Sequence, residues 1–269
     1  MPLYENQSNP LYLLIFATAK LSCFAGANED SHAQYFMNDE GEDLCENVTY
    51  LGRKGLFTST SGLTVAYLSG RDGGDKSDFT HFSKSDVAMV CEKITSGASR
   101  FTGVDILLTS PWPHNVSQYG TQLKQQPKDD SRNVANMAAI LKPRYHFSGL
   151  EGVSYDRNPY RNHKLLVGSQ QHVSRFSALA EVGNKEKAKF MYAFNIVPMK
   201  YIEKSELYKQ PVDTTECPYK QQVPEVKEDR ADPTRNEFFY GEGPRKRAGN
   251  SLSCILWFDI EAKLKSRQN

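Results

Sequence analysis

Two helical periodicities set among short β-branched and aromatic runs constrain this chain more than any other feature. Val87, Val90, Cys91 and Ile94 fall at i, i+3, i+4 and i+7 behind Ser83 or Ser85, either of which can cap a helix. A second helix is expected from about Ser131, with Val134, Met137, Ala138 and Leu141 on one face and Pro143 as its stop. Strands are expected at 11–17, Val48–Leu51, Leu63–Leu68 and Val104–Thr109, the last running into the rigid loop Ser110-Pro-Trp-Pro113. Four more follow at Arg144–Ser148, Lys164–Val167, Val173–Val182 and Lys189–Val197. In the last of these Phe190, Tyr192, Phe194 and Ile196 alternate with Met191, Ala193, Asn195 and Val197, so both faces read as covered. Mixed strands and helices followed by a strand-rich half suggest an α/β layered sandwich over 11–203 rather than a closed eightfold barrel. Pro211, Pro218, Pro224, Pro233 and Pro244 then punctuate a charged stretch poor in aliphatic residues, so 204–269 is expected to be a linker and irregular tail.

Charge and cysteine usage narrow the function classes. Lys and Arg number 33 against 32 Asp and Glu, which excludes a polycation and leaves nucleic-acid contact to a local patch. No apolar run approaches a membrane-spanning length, so no membrane partner is expected. Cys23, Cys45, Cys91, Cys217 and Cys254 are widely spaced and odd in number, which fits reduced thiols better than a disulfide framework or a thiol zinc site. Leu11–Ala17 with Ala17-Thr-Ala19 has the look of a secretory leader, yet Met1–Pro10 carries Glu5 and no basic residue; a buried strand is the preferred reading.

Catalytic signatures are sparse. His32, His81, His114, His146, His163 and His172 include no closely spaced pair, the usual mark of a compact metal centre. There is no nucleophile elbow and no phosphate loop; Gly70–Asp75 reads as turn chemistry, and the acidic residues between Asp39 and Glu46 as a solvated surface.

Several stretches are more specific. Tyr50–Gly55, Asp105–Pro113, Leu141–Phe147, Pro159–His163, Arg175–Ala180 and Tyr192–Met199 resemble, in order, the amino-terminal region of the CwfJ family of Cwf-nineteen-like splicing factors, from about Gly26 to Tyr219. The resemblance implies a domain similar to the metallophosphoesterase of the RNA lariat debranching enzyme, a sandwich holding metals at strand ends. It also implies late spliceosomal complexes and intron-lariat turnover as the setting, and the nucleus as the location. Pro244-Arg-Lys-Arg247 adds little to that. Against the family pattern the chain is expected to be truncated at both ends. The first strand's Asp motifs lack a counterpart, and Ser253–Phe258 approaches the first carboxy-terminal CwfJ domain, which resembles histidine-triad proteins, before the chain stops.

The departures matter most. Where the debranching enzyme carries Gly-Asn-His-Glu this chain has Gly26-Ala-Asn-Glu29, keeping Asn28 as a vestigial ligand position. Its Ser-His-Asp-Trp-Pro loop matches Thr109-Ser-Pro-Trp-Pro113, and its His-x-His loop matches Phe147–Val153, both without histidine. Ser, Pro, Leu and Gly do not replace imidazole around a metal pair. The expectation is therefore a non-catalytic scaffold without cofactor, binding spliceosomal proteins or lariat RNA and assisting the RNA lariat debranching enzyme. Arg144, His146, Arg161 and His163 are the candidate RNA or phosphate contacts, with ordinary strand-end hydrogen bonding as the plainer reading of the same residues. The alternative is a divergent metal-dependent phosphodiesterase using Asn28, Asp105 and His146; a third reading, secretion, rests on Ala17–Ala19 alone.

Overall fold

The computed structural model describes residues 14–17, 20–23, 30, 36, 38–45, 48–96, 101–163, 170–219 and 252–257. The Asn28 loop, Thr18–Ala19, the strand expected at Lys164–Val167 and the Arg245–Arg247 cluster lie outside them.

Leu14–Ala17 (β1) pairs antiparallel with Lys20–Cys23 (β2), Ala17 opposite Lys20. Glu42–Cys45 (β3) pairs with Val48–Tyr50 (β4), which runs parallel to β2. Next come Lys54–Thr58 (β5), Thr64–Leu68 (β6) and the two-residue pair Arg71–Asp72 (β7) and His81–Phe82 (β8). Lys84–Ser96 forms α1, Ile106–Thr109 β9, Arg132–Leu141 α2 and Tyr145–Ser148 β10. The short pieces Tyr155–Asp156 (β11) and Tyr160–Arg161 (β12) precede Val173–Ala178 (β13) and Met191–Ile196 (β14). A single turn, Lys204–Leu207 (α3), and a last strand, Leu252–Trp257 (β15), complete the described elements.

The helices begin and end where their side chains dictate. Ser83 Oγ accepts from the Asp86 amide at 3.2 Å while the Asp86 carboxylate accepts from the Ser83 amide at 2.8 Å, a reciprocal cap on α1. Ser131 Oγ accepts from the Val134 amide at 3.1 Å to cap α2, and Lys142 closes it in the left-handed region at φ 44°, just before Pro143.

One sheet runs β11-β13-β10-β9-β6-β5, with β12 also on β13, and β6, β9, β10 and β13 are parallel. Its central strands are buried on both faces, as parallel strands must be. Ala66, Leu68 and Leu107 meet Val87, Val90, Cys91 and Ile94 of α1 and Val134, Met137 and Leu141 of α2 on one side. On the other, Tyr145 and Phe147 pack on Phe194 and Tyr192 of β14, with ring centroids 4.9 and 5.2 Å apart. Thus a helical layer covers one face and a second sheet, β14-β15-β1-β2-β4-β3, contributes β14 to the other. The architecture is mixed α/β and layered.

Two features depart from the expectation. The edge strand β5 was hidden by Gly55, where a Cβ would stand 2.8 Å from the Tyr67 hydroxyl that donates to Leu51 O at 2.6 Å. The carboxy-terminal stretch is also less irregular than its prolines imply. Thr215 exchanges backbone bonds with Pro159 and Arg161, Tyr219 is buried against Tyr160 with centroids 5.5 Å apart, and β15 pairs with both β14 and β1. Composition averaged over a long window concealed these short apolar pieces.

Candidate functional site

Four parallel strands end at a common edge, at Leu68, Thr109, Ser148 and Ala178. There Thr109 Oγ1 donates to Pro111 O at 2.9 Å and lies 2.9 Å from His146 Nε2 and 2.8 Å from Ser148 Oγ. Ser110 ties neighbouring segments together: its amide donates to Leu68 O at 3.3 Å, its hydroxyl accepts from Gly70 N at 3.2 Å, and its carbonyl accepts from Leu150 N at 2.9 Å. The strand ends near Ser110 and Ser148 therefore converge. Around them, Asp72 accepts from Ser131 Oγ and from Asn133 Nδ2, Arg71 pairs with Asp129, and Glu151 accepts from the Lys128 and Asp129 amides at 2.8 and 2.7 Å. His114 Nδ1 pairs with Asp130 at 2.9 Å.

These donors do not fit a pair of divalent cations. Thr109, Ser110 and Ser148 offer neutral hydroxyls already engaged with each other or with backbone, and the nearby carboxylates hold loops together. Among the described residues no group of three or more His, Cys, Asp and Glu side chains is placed to hold a metal ion.

Asp105 and His146, two members of the alternative metal set, are separately occupied. Asp105 Oδ2 accepts from the Thr64 amide and hydroxyl at 3.0 and 2.9 Å; Oδ1 accepts from Met199 N at 2.8 Å and from Arg144 at 3.3 Å. His146 is wholly buried, and its ring lies edge-on to Phe176 at 5.2 Å. Burial pushes its pKa down to about 3, so the ring is neutral.

The four candidate contacts do not form one cluster. His146 is corrected outright: with 0% exposure it reaches no phosphate from outside. Arg161 donates to Thr214 O at 3.1 Å, and His163 Nδ1 accepts from Gln171 N at 3.3 Å. Burial, then the Arg161 charge, lowers the His163 pKa. Arg144 stands at the start of β10, the end of the sheet opposite the Thr109 edge, and donates to Val197 O at 2.7 Å.

There it lines a cavity of about 380 Å³ that also includes Tyr145, His172, Arg175, Glu206 and Lys209. Arg175 and Lys209 line it without having been expected there. Arg175 had the signal, because it pairs in register with Tyr145, the residue after Arg144, and so comes beside it on the sheet. Lys209 reaches the site only by the path of the chain after β14. His172 is neutral here: burial lowers its pKa to about 4, and its Nε2 donates to Lys142 O at 2.7 Å.

Among the described residues no helix is long and apolar enough to cross a membrane. No family model matches the chain. Over 201 residues it is 50% identical to mouse CWF19-like protein 1, covering 72% of this chain and 37% of that protein. Over 224 residues it is 46% identical to the Xenopus laevis protein of the same name, covering 80% of this chain and 41% of that one. An Arabidopsis thaliana zinc finger CCCH domain-containing protein 64 is 37% identical over 186 residues, 67% of this chain and 29% of its own length. The chain thus spans about two fifths of the length of the CWF19-like relatives named here. By its 46–50% identity to these proteins over 72–80% of its length, the chain belongs to the CWF19-like family.

Proposed function

We propose that the chain is a splicing-associated, non-catalytic scaffold, a metallophosphoesterase-like sandwich that acts in the nucleus by binding. Its partners on this reading are spliceosomal proteins and the RNA lariat debranching enzyme, whose action on intron lariats it assists, with lariat RNA as a further contact. The observation that carries the reading is the chemistry of the Thr109–Ser148 edge. A metallophosphoesterase presents imidazoles and carboxylates to metal at its strand ends; here the strand ends present hydroxyls bonded to one another and to Pro111 O. The kinship with CWF19-like proteins supplies the setting.

A pull-down from nuclear extract with the full chain tests it. Recovery of the debranching enzyme with late spliceosomal components is the expected result, alongside no manganese- or iron-dependent cleavage of a branched phosphodiester. Metal-dependent turnover that disappears in His146→Ala would overturn the scaffold reading in favour of a divergent phosphodiesterase.

A further inference from the structure

The geometry points to a second binding site at the opposite end of the sheet. We infer that the cavity lined by Arg144, Tyr145, Arg175 and Lys209 takes one phosphate-bearing nucleotide unit of single-stranded RNA. This rests on the scaffold reading above and gives it a contact surface. Three cations converge on the cavity against one carboxylate, Glu206. Of the three, only Arg144 has a partner charge, Asp105 at 3.3 Å; the Arg175 guanidinium and the Lys209 ammonium make no hydrogen bond or ion pair among the described residues. The guanidiniums of Arg144 and Arg175 both stand over the Tyr145 ring, 5.7 and 5.6 Å from its centroid.

Arg144, held by Asp105, anchors the edge of the site, and the unpaired charges of Arg175 and Lys209 beside it suit a phosphate. The flat guanidinium of Arg175 also suits an unstacked base, as single-stranded RNA presents. At about 380 Å³ the cavity is at the small end of ligand sites, the right scale for one nucleotide rather than a folded helix. Arg144 is held by Asp105 and Val197 O, so the site is fixed to the start of β10 rather than carried on a loop. None of this involves the Thr109 edge.

The test is fluorescence anisotropy of the full chain with a labelled oligouridylate of about ten nucleotides, a length within the range single-stranded RNA modules cover. Arg175→Gln and Lys209→Glu are each expected to weaken binding by about tenfold and to reduce the salt slope by about one. Arg132→Gln, a cation lining the separate cavity beside His114, is expected to leave binding unchanged. Lys209 is exposed, so its variant reports on the site even should Arg175→Gln perturb folding. RNA affinity indifferent to both substitutions overturns the site, as does direct binding of a labelled phosphopeptide by a chain that does not bind oligouridylate. Partner capture from nuclear extract that persists in Lys209→Glu alongside lost RNA binding supports it. Failure of capture by the unaltered chain, with RNA binding intact, would instead count against the scaffold reading alone.

Discussion

His172 shows how a single buried ring ties stability to pH. Its Nε2 proton holds Lys142 O, the carbonyl of the residue that closes α2. Burial keeps the ring neutral, with a folded pKa of about 4 against 6.5 for the free side chain. The unfolded chain therefore binds this proton more readily, and the stability the neutral ring contributes is complete above about pH 6.5. It is lost as pH falls through the interval down to about 4. His146, with its folded value near 3, acts in the same direction and extends the loss further into acid. Each ring contributes a slope of about 1.4 kcal/mol per pH unit inside its window. Urea unfolding between pH 7 and 4 should show stability falling with acid, and His172→Gln should reduce the steepness by about one proton. An unchanged slope in that variant would mean that His172 is already charged in the folded protein.

At the scale of elements, Asp105 is the fastening that joins otherwise separate pieces. Its two oxygens hold the start of β6 through Thr64, the start of β10 through Arg144, and the segment after β14 through Met199 N. Asp105→Ala is expected to cost about 3–5 kcal/mol, because it strands the partly buried Arg144 and leaves two amides without an acceptor. Chemical denaturation at neutral pH measures it; a loss under about 1 kcal/mol would place the fastening elsewhere. Both long helices were legible from periodicity, and β6, β9, β10, β13 and β14 from their apolar and aromatic runs. The expectation that both faces of β14 are covered fails, since Met191, Ala193 and Asn195 are exposed. Edge pieces were not legible: β5 carries a glycine that packing on Tyr67 requires, and β2 and β3 are too short for alternation to register. The site divided in the same way. The absence of histidines from Thr109–Pro113 could be read directly, and so could Arg144. The partnership of Arg144 with Arg175 and Lys209 depends on strand register and on the route of the chain past β14, which no local pattern encodes. His146 misled because alternation along a short strand does not say that both faces are covered.

At the scale of the whole molecule, the second sheet depends on a strand distant in sequence. β15 lies between β14 and β1, with Trp257 opposite Met191 on one side and Leu14 on the other. Remove it and β14 retains its ring contacts with Tyr145 and Phe147 but loses its neighbour in the sheet, while β1 is left as an open edge. Unpaired edges of this kind recruit other chains. A variant ending after Tyr219 keeps the buried Tyr219 and the whole parallel sheet, so it should still fold around α1 and α2. It should nonetheless unfold at a temperature lower by about 5 °C or more and self-associate at concentrations where the full chain does not. Thermal unfolding by circular dichroism and light scattering after gel filtration read the two effects separately. A monomeric variant with the melting temperature of the full chain would show that β15 does not bridge the second sheet. Lower thermal stability with no self-association would mean that the edges of β14 and β1 find each other when the strand between them is gone.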